Sequence, residues 1–170
     1  MKTPEQIYKK FIEFEERAAV VYLRLASRFS KVPELSWFWL EMGMQEKQHA
    51  GLLQFLLSEK LFAGELPDET KIQKIDRQFG SFESRAADPE LGIPAAFQIA
   101  MEIESSEVND IYSHLTSTTH DAPYLWHRKI ATMAPGHIGY LADSARKFGA
   151  GDEVVRKLEL LKDSYEGSRA

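Results

Sequence analysis

The chain has 170 residues, 44% hydrophobic and 28% charged, with 21 Lys and Arg against 26 Asp and Glu and a formal charge of −5. That length holds one domain with a sizeable core, and the acidic balance, with no run of Lys and Arg, argues against a nucleic-acid partner or a basic membrane-surface role. No cysteine is present, which excludes disulfides, zinc-thiolate sites, iron–sulfur clusters and thiol catalysis and leaves carboxylate and imidazole as metal ligands, favouring iron, manganese or zinc.

A first helix is predicted over about residues 4–29, with Thr3 as N-cap and Pro4 at the first helical position. Its apolar residues Ile7, Phe11, Ala18, Tyr22, Leu25, Ala26 and Phe29 recur at the 3.6-residue spacing of one buried face. After the break Ser30-Lys31-Val32-Pro33, a second helix covers about 34–60, with Trp39, Met42, Leu53, Leu56 and Leu57 on one side. The stretch 61–93 is too long for a simple turn. It can climb back along a helix of about 36 Å, so the second and third long helices can run parallel. Within it, Asp68 to Phe79 reads as a short amphipathic helix capped by Asp68.

The third long helix, about 94–117, follows Pro94 and carries Phe97, Ala100, Met101, Val108, Ile111 and Leu115 on its stripe. The fourth, about 123–148, carries Ile130, Met133, Tyr140, Leu141 and Phe148. A last helix over about 152–166 has Val154, Leu158, Leu161 and Tyr165 at helical spacing, to dock on the bundle or on a partner subunit. The expected fold is all-α, one domain over 1–170. The N-terminus MKTPEQIYKKF lacks the apolar stretch of a signal peptide, and no run of 18 apolar residues occurs, so the expectation is a cytoplasmic protein without a membrane span.

Several polar residues fall on these apolar stripes. Glu15 lies among Phe11, Ala18, Tyr22 and Ala26, whereas Glu16 is turned about 100° away. Glu46 and His49 stack on one face between Met42 and Leu53. Glu104 sits among Ala100, Val108 and Ile111, with Glu107 one turn on, and His137 lies between Met133 and Leu141. A single buried glutamate can reach water at a helix end, and a single histidine can be a satisfied core residue. Together, far from helix ends and without Lys or Arg on the stripes, these carboxylates need either large upward pKa shifts or cations beside them. Glu41, Glu102, His114, His120 and His127 read as surface or helix-end residues, and Trp37 and Trp39 serve packing or a dimer face.

The pattern resembles the ferritin-like superfamily and, within it, the rubrerythrin-type di-iron proteins. The first helix carries Glu15 followed by Ala18, Tyr22 and Ala26; the second carries Glu46-Lys47-Gln48-His49-Ala50; the third carries Glu104, Glu107 and Tyr112. About 100 residues in the four core helices share it. The resemblance implies a four-helix bundle with the 61–93 segment as long crossover and a dinuclear centre, iron first with manganese or zinc as alternatives. Glu15, Glu46 and His49 would hold one ion, and Glu104 and His137 the other, with Glu46 bridging.

One position departs from the family. A second Glu-x-x-His is expected on the fourth helix, and the chain reads Ala134-Pro135-Gly136-His137. A proline inside a helix costs about 3 kcal/mol and favours a kink beside the site. Glu107 then has two readings, as a replacement ligand or as a solvated flank, and His137 likewise is a ligand or a core histidine. Tyr22 and Tyr112 face the centre, either packing in the core or bonding a ligand carboxylate.

The activity implied is oxidation of ferrous iron by dioxygen or peroxide. Without cysteine there is no rubredoxin-like domain, so a separate electron donor is needed. A homodimer or larger homo-oligomer is expected. The rival reading is a non-enzymatic ferritin-like assembly or interaction module with a degenerate mononuclear or empty site.

Overall fold

A computed structural model describes the backbone of residues 2–62, 66–107 and 124–167, and the side chains of these except 107, 124–135 and 165–167. Among the described residues there are six α-helices and no strand: α1 Pro4–Arg28, α2 Pro33–Ser58, α3 Glu69–Ala86, α4 Ile93–Glu107, α5 Tyr124–Lys147 and α6 Asp152–Gly167. None is long and apolar enough to cross a membrane. The fold is all-α.

The helix ends follow local chemistry. Thr3 opens α1 with a capping box closed by Gln6, the Gln6 amide donating to Thr3 Oγ1 at 3.3 Å and the Thr3 amide to Gln6 Oε1 at 2.9 Å. Asp68 opens α3 by accepting from the Lys71 amide at 2.8 Å, a cap worth about 1 kcal/mol. Both α2 and α5 end in a Schellman turn, in which the amide of Leu61 reaches the Leu56 carbonyl and that of Ala150 reaches the Ala145 carbonyl, each at 2.9 Å. The left-handed residue is Gly149 in one turn (φ 72°) and Lys60 in the other (φ 56°).

The α3 helix runs on to Ala86, past the Phe79 end expected from sequence. The spacing of its buried residues explains why: Ile72, Ile75 and Phe79 are followed by Phe82 and Ala86 at the same interval. Burying Phe82 contributes roughly 1.5–3 kcal/mol, which outweighs the cost of about 1 kcal/mol for Gly80 within a helix. The α5 helix continues through Pro135 to Lys147.

The most extensive packing is between α1 and α2. Gly43 lets them approach: a Cβ there would sit 3.2 Å from the Ala19 carbonyl oxygen. Alongside α1, α3 runs in the same direction, since Glu69 meets Lys2, the Phe79 ring stacks on Phe14 at 5.3 Å, and the Leu91 carbonyl accepts from Arg28. Arg17 locks this pair. Its guanidinium grips Glu83 at 2.7 and 3.0 Å and Asp76 at 2.5 Å, over the Phe79 ring. Burial works against that charge less than Glu83 supports it, so the Arg17 pKa is raised.

Along α2, α5 runs the opposite way: Lys147 pairs with Glu34, Tyr140 with Glu41 and His137 with Glu46. Phe97 of α4 packs on Phe38 and Trp39 of α2, with ring centroids 5.4 and 4.7 Å apart. Val154 and Leu158 of α6 are buried, and α6 packs on α5 and α4 of its own chain. Polar residues at the centre of these helices therefore meet.

Candidate metal centre

Five polar side chains converge between α1, α2, α4 and α5. Glu15 and Glu46 have no exposed surface, Glu104 keeps 2%, His137 3% and His49 5%. Each lies on an apolar stripe, and the hydrophobic driving force that buries the stripe carries the charge in with it. His49 Nδ1 stands 2.8 Å from Glu46 Oε2 and 3.5 Å from Glu15 Oε2. His137 Nε2 stands 3.4 Å from Glu46 Oε1, and its Nδ1 3.3 Å from Glu104 Oε2. Glu46 therefore turns one oxygen toward each imidazole. Tyr22 donates its hydroxyl hydrogen to Glu104 Oε1 at 2.8 Å.

The electrostatics are adverse without a cation. Burial, and then the charges of Glu104 and Glu15, hold the Glu46 carboxyl well above the usual carboxylate range. Burial raises Glu104 to about 7, against the lowering effects of the Tyr22 hydroxyl and His49. Burial also pulls His137 down to about 3, helped by the neighbouring His49. Among the described residues no lysine or arginine pairs with Glu46 or Glu104.

The donor set fits a metal ion. Glu46 Oε1 and His137 Nε2 are buried and have no hydrogen-bond partner among the described residues, yet they face each other. A neutral imidazole has one N–H. If that hydrogen is on Nδ1 toward Glu104, Nε2 presents a lone pair to a carboxylate oxygen, an arrangement that calls for a cation between them. Ligand atoms of Glu46, His49 and His137 lie within 4.8 Å of one another, near the spread that bonds of about 2.1 Å require. Carboxylate and imidazole suit iron, manganese or zinc.

Of the six residues singled out from sequence, the structure brings together Glu15, Glu46, His49, Glu104 and His137. The Glu107 side chain lies outside the described residues, as do Tyr112, His114 and His120 and the side chain of His127. Glu102 is engaged on the α3 side by Arg85 at 2.5 Å, and Glu41 accepts from Tyr140 at 2.5 Å. Trp39 is fully buried beside Tyr22, with ring centroids 6.0 Å apart, whereas Trp37 is 59% exposed. Trp39 lies on the apolar side of α2 as its spacing predicts, but no periodicity marks its indole Nε1, which has no hydrogen-bond partner among the described residues.

Fold and site together define an all-α protein with a carboxylate–imidazole cluster shared by four helices. Comparison with known protein families, with curated proteins and with solved structures finds no match for this chain.

Proposed function

We propose that this is a ferritin-like, rubrerythrin-type metalloprotein whose buried cluster holds a dinuclear iron centre. The observation that carries the reading is the Glu46 carboxylate, with Oε2 toward His49 and Oε1 toward His137. A bridging ligand between two ions, each with its own imidazole, takes that position. Glu15 completes the His49 side, and Glu104 backs the His137 side by accepting from its Nδ1. The parallel course of α1 and α3 supports a long crossover joining two antiparallel helix pairs.

Bound there, two iron ions would supply open coordination positions at which dioxygen or peroxide oxidises the ferrous form. The chain's own contribution is positioning and exclusion of water. Tyr22 fixes the orientation of Glu104, leaving Oε2 free to face His137. Apolar side chains around the cluster keep bulk water from it, so each carboxylate acts more strongly on a cation than it would at a surface.

The compact group Glu46, His49 and His137 supports a second reading, a single ion, either structural zinc or the remnant of a degenerate site. Metal analysis of protein purified from iron-supplemented cells separates the two. About two irons per chain is the expected result; about one zinc would favour the second reading, and no metal would leave an assembly module. Glu46→Ala should abolish binding altogether, and unchanged metal content would defeat the ligand assignment. Peroxide added to the ferrous protein should change its near-ultraviolet absorbance within minutes.

A further inference from the structure

An open cleft of about 760 Å³ lies between the start of α2 and the end of α5, within the size range of small-molecule sites. Its walls are aromatic: Trp37 and Tyr140 at the mouth, Phe38 and Phe148 deeper. Phe38 stands 5.2 Å from Tyr140 and 6.2 Å from Phe148, ring centre to ring centre. The charges around it are already engaged. Lys147 pairs with Glu34 at 2.9 Å, and Asp143 with Arg146 at 3.1 Å. Among the described residues, the lining therefore has no spare cation for a phosphate or carboxylate. The Lys147 ammonium lies 5.1 Å over the Phe148 ring, so the exposed rings are those of Trp37 and Tyr140, and two exposed rings with every charge paired suit a flat, neutral aromatic molecule.

The inner wall leads to the metal cluster. The Phe38 ring lies 4.6 Å from that of Trp39, Trp39 stacks on Tyr22 at 6.0 Å, and the Tyr22 hydroxyl rests on Glu104. Packed rings carry electrons between a surface site and a buried one better than a path broken by gaps. Trp39 has a second peculiarity. Its Nε1–H is buried with no acceptor among the described residues, an energetic cost that a phenylalanine would avoid. Indole is also the more readily oxidised of the two rings. Packing alone does not account for it.

We propose that this cleft binds a hydroquinone, which reduces the buried centre through Trp39 and Tyr22; the proposal rests on the metal-centre reading above. In the step, one hydroquinone gives up two electrons and its two hydroxyl protons and leaves as the quinone. The two electrons would reduce two ferric ions, were these held by Glu15, Glu46, His49, Glu104 and His137, to ferrous, and the protons pass to water at the open mouth of the cleft.

The test begins with 2-methyl-1,4-naphthoquinone titrated by calorimetry into metal-free and iron-loaded protein. One molecule should bind per chain in both forms. Trp37→Ala, at an exposed position that the core does not need, should weaken binding about tenfold. Flavin mononucleotide, with its phosphate, should bind far more weakly than the quinone. Equal affinity of Trp37→Ala and wild type, or preference for the flavin, would overturn the proposal. Trp39→Phe keeps the ring stack and removes the orphaned N–H. It should leave quinone affinity unchanged and slow reduction of the ferric protein by the hydroquinone about tenfold; an unchanged rate would overturn the path. Quinone binding by a protein that takes up no iron when iron is supplied would sink the centre reading. Iron without quinone binding would sink this proposal alone.

Discussion

Helices α2 and α5 each deliver one histidine to the same buried cluster, by different routes. On α2, Glu46 stands three residues before His49, so the contact at 2.8 Å is available once the helix forms. On α5 the corresponding position is Ala134. Among the described residues His137 therefore finds carboxylates only across the bundle, at 3.4 Å on α2 and 3.3 Å on α4, and its Nε2 keeps no hydrogen bond there. The Glu46–His49 pair is written into a single helix. The His137 contacts exist only when three helices have docked.

The comparison is open to direct attack at the two histidines. His137→Ala should lower iron from about two per chain to about one, because Glu15, Glu46 and His49 remain together. His49→Ala should leave less than that, since it breaks the locally formed pair. Equal iron contents in the two variants, measured by elemental analysis, would erase the distinction.

A pH series on metal-free protein comes next in size. Glu104 titrates at about 7 in the fold, against an ordinary carboxyl value of 4.5. Between those values the folded state holds a proton that the unfolded chain has released, so stability falls as pH rises. His137 works in the opposite sense. At about 3 in the fold against 6.5, it adds stability as pH climbs through that window. The two effects oppose each other up to pH 6.5. Above that only the carboxylate effect survives, reinforced by Glu46, which is also raised. The Tm in chelator should therefore fall as pH rises from 6.5 through about 7, and Glu104→Gln should reduce the fall. Divalent metal should flatten it. A Tm that climbs through the same window would contradict the buried acidic cluster.

Smaller effects sharpen the contrast further. Tyr22→Phe removes the hydroxyl that steadies Glu104, so the His137 half should lose metal affinity about tenfold, with the His49 half less affected. Competition with a chelator would read this out. The helix ends repeat the theme, because α5 closes with Gly149 in the left-handed conformation and α2 closes with Lys60. Lys60→Gly should stabilise by about 0.5–1 kcal/mol and Gly149→Ala should cost about 1 kcal/mol, both visible as shifts in denaturant midpoint at constant slope.

Much of this was legible in the sequence, for a definite reason. A carboxylate amid Phe11, Ala18 and Tyr22, or a histidine three residues after a glutamate between Met42 and Leu53, violates the helical pattern that surrounds it, and the violation marks its place. The caps Thr3 and Asp68 were legible because they are local. The reach of α3 was not, since Gly80 reads as a stop until the burial of Phe82 is known. Nor was the choice for Tyr22 between plain core packing and a bond to Glu104, which depends on how α1 sits against α4. The Arg17 clasp on Asp76 and Glu83 joins residues roughly 60 positions apart in sequence, beyond any periodicity argument.

Gly43 has a consequence for chemistry as well as for packing. It stands one turn before Glu46, and opposite it Ala19 stands one turn after Glu15, so the missing methyl group sets how closely the two carboxylate-bearing backbones are pressed together. An alanine there would act as a shim between the helices. The pair would have to part by a few tenths of an ångström to admit it, and the gap between the Glu15 and Glu46 carboxylates would widen by a comparable amount.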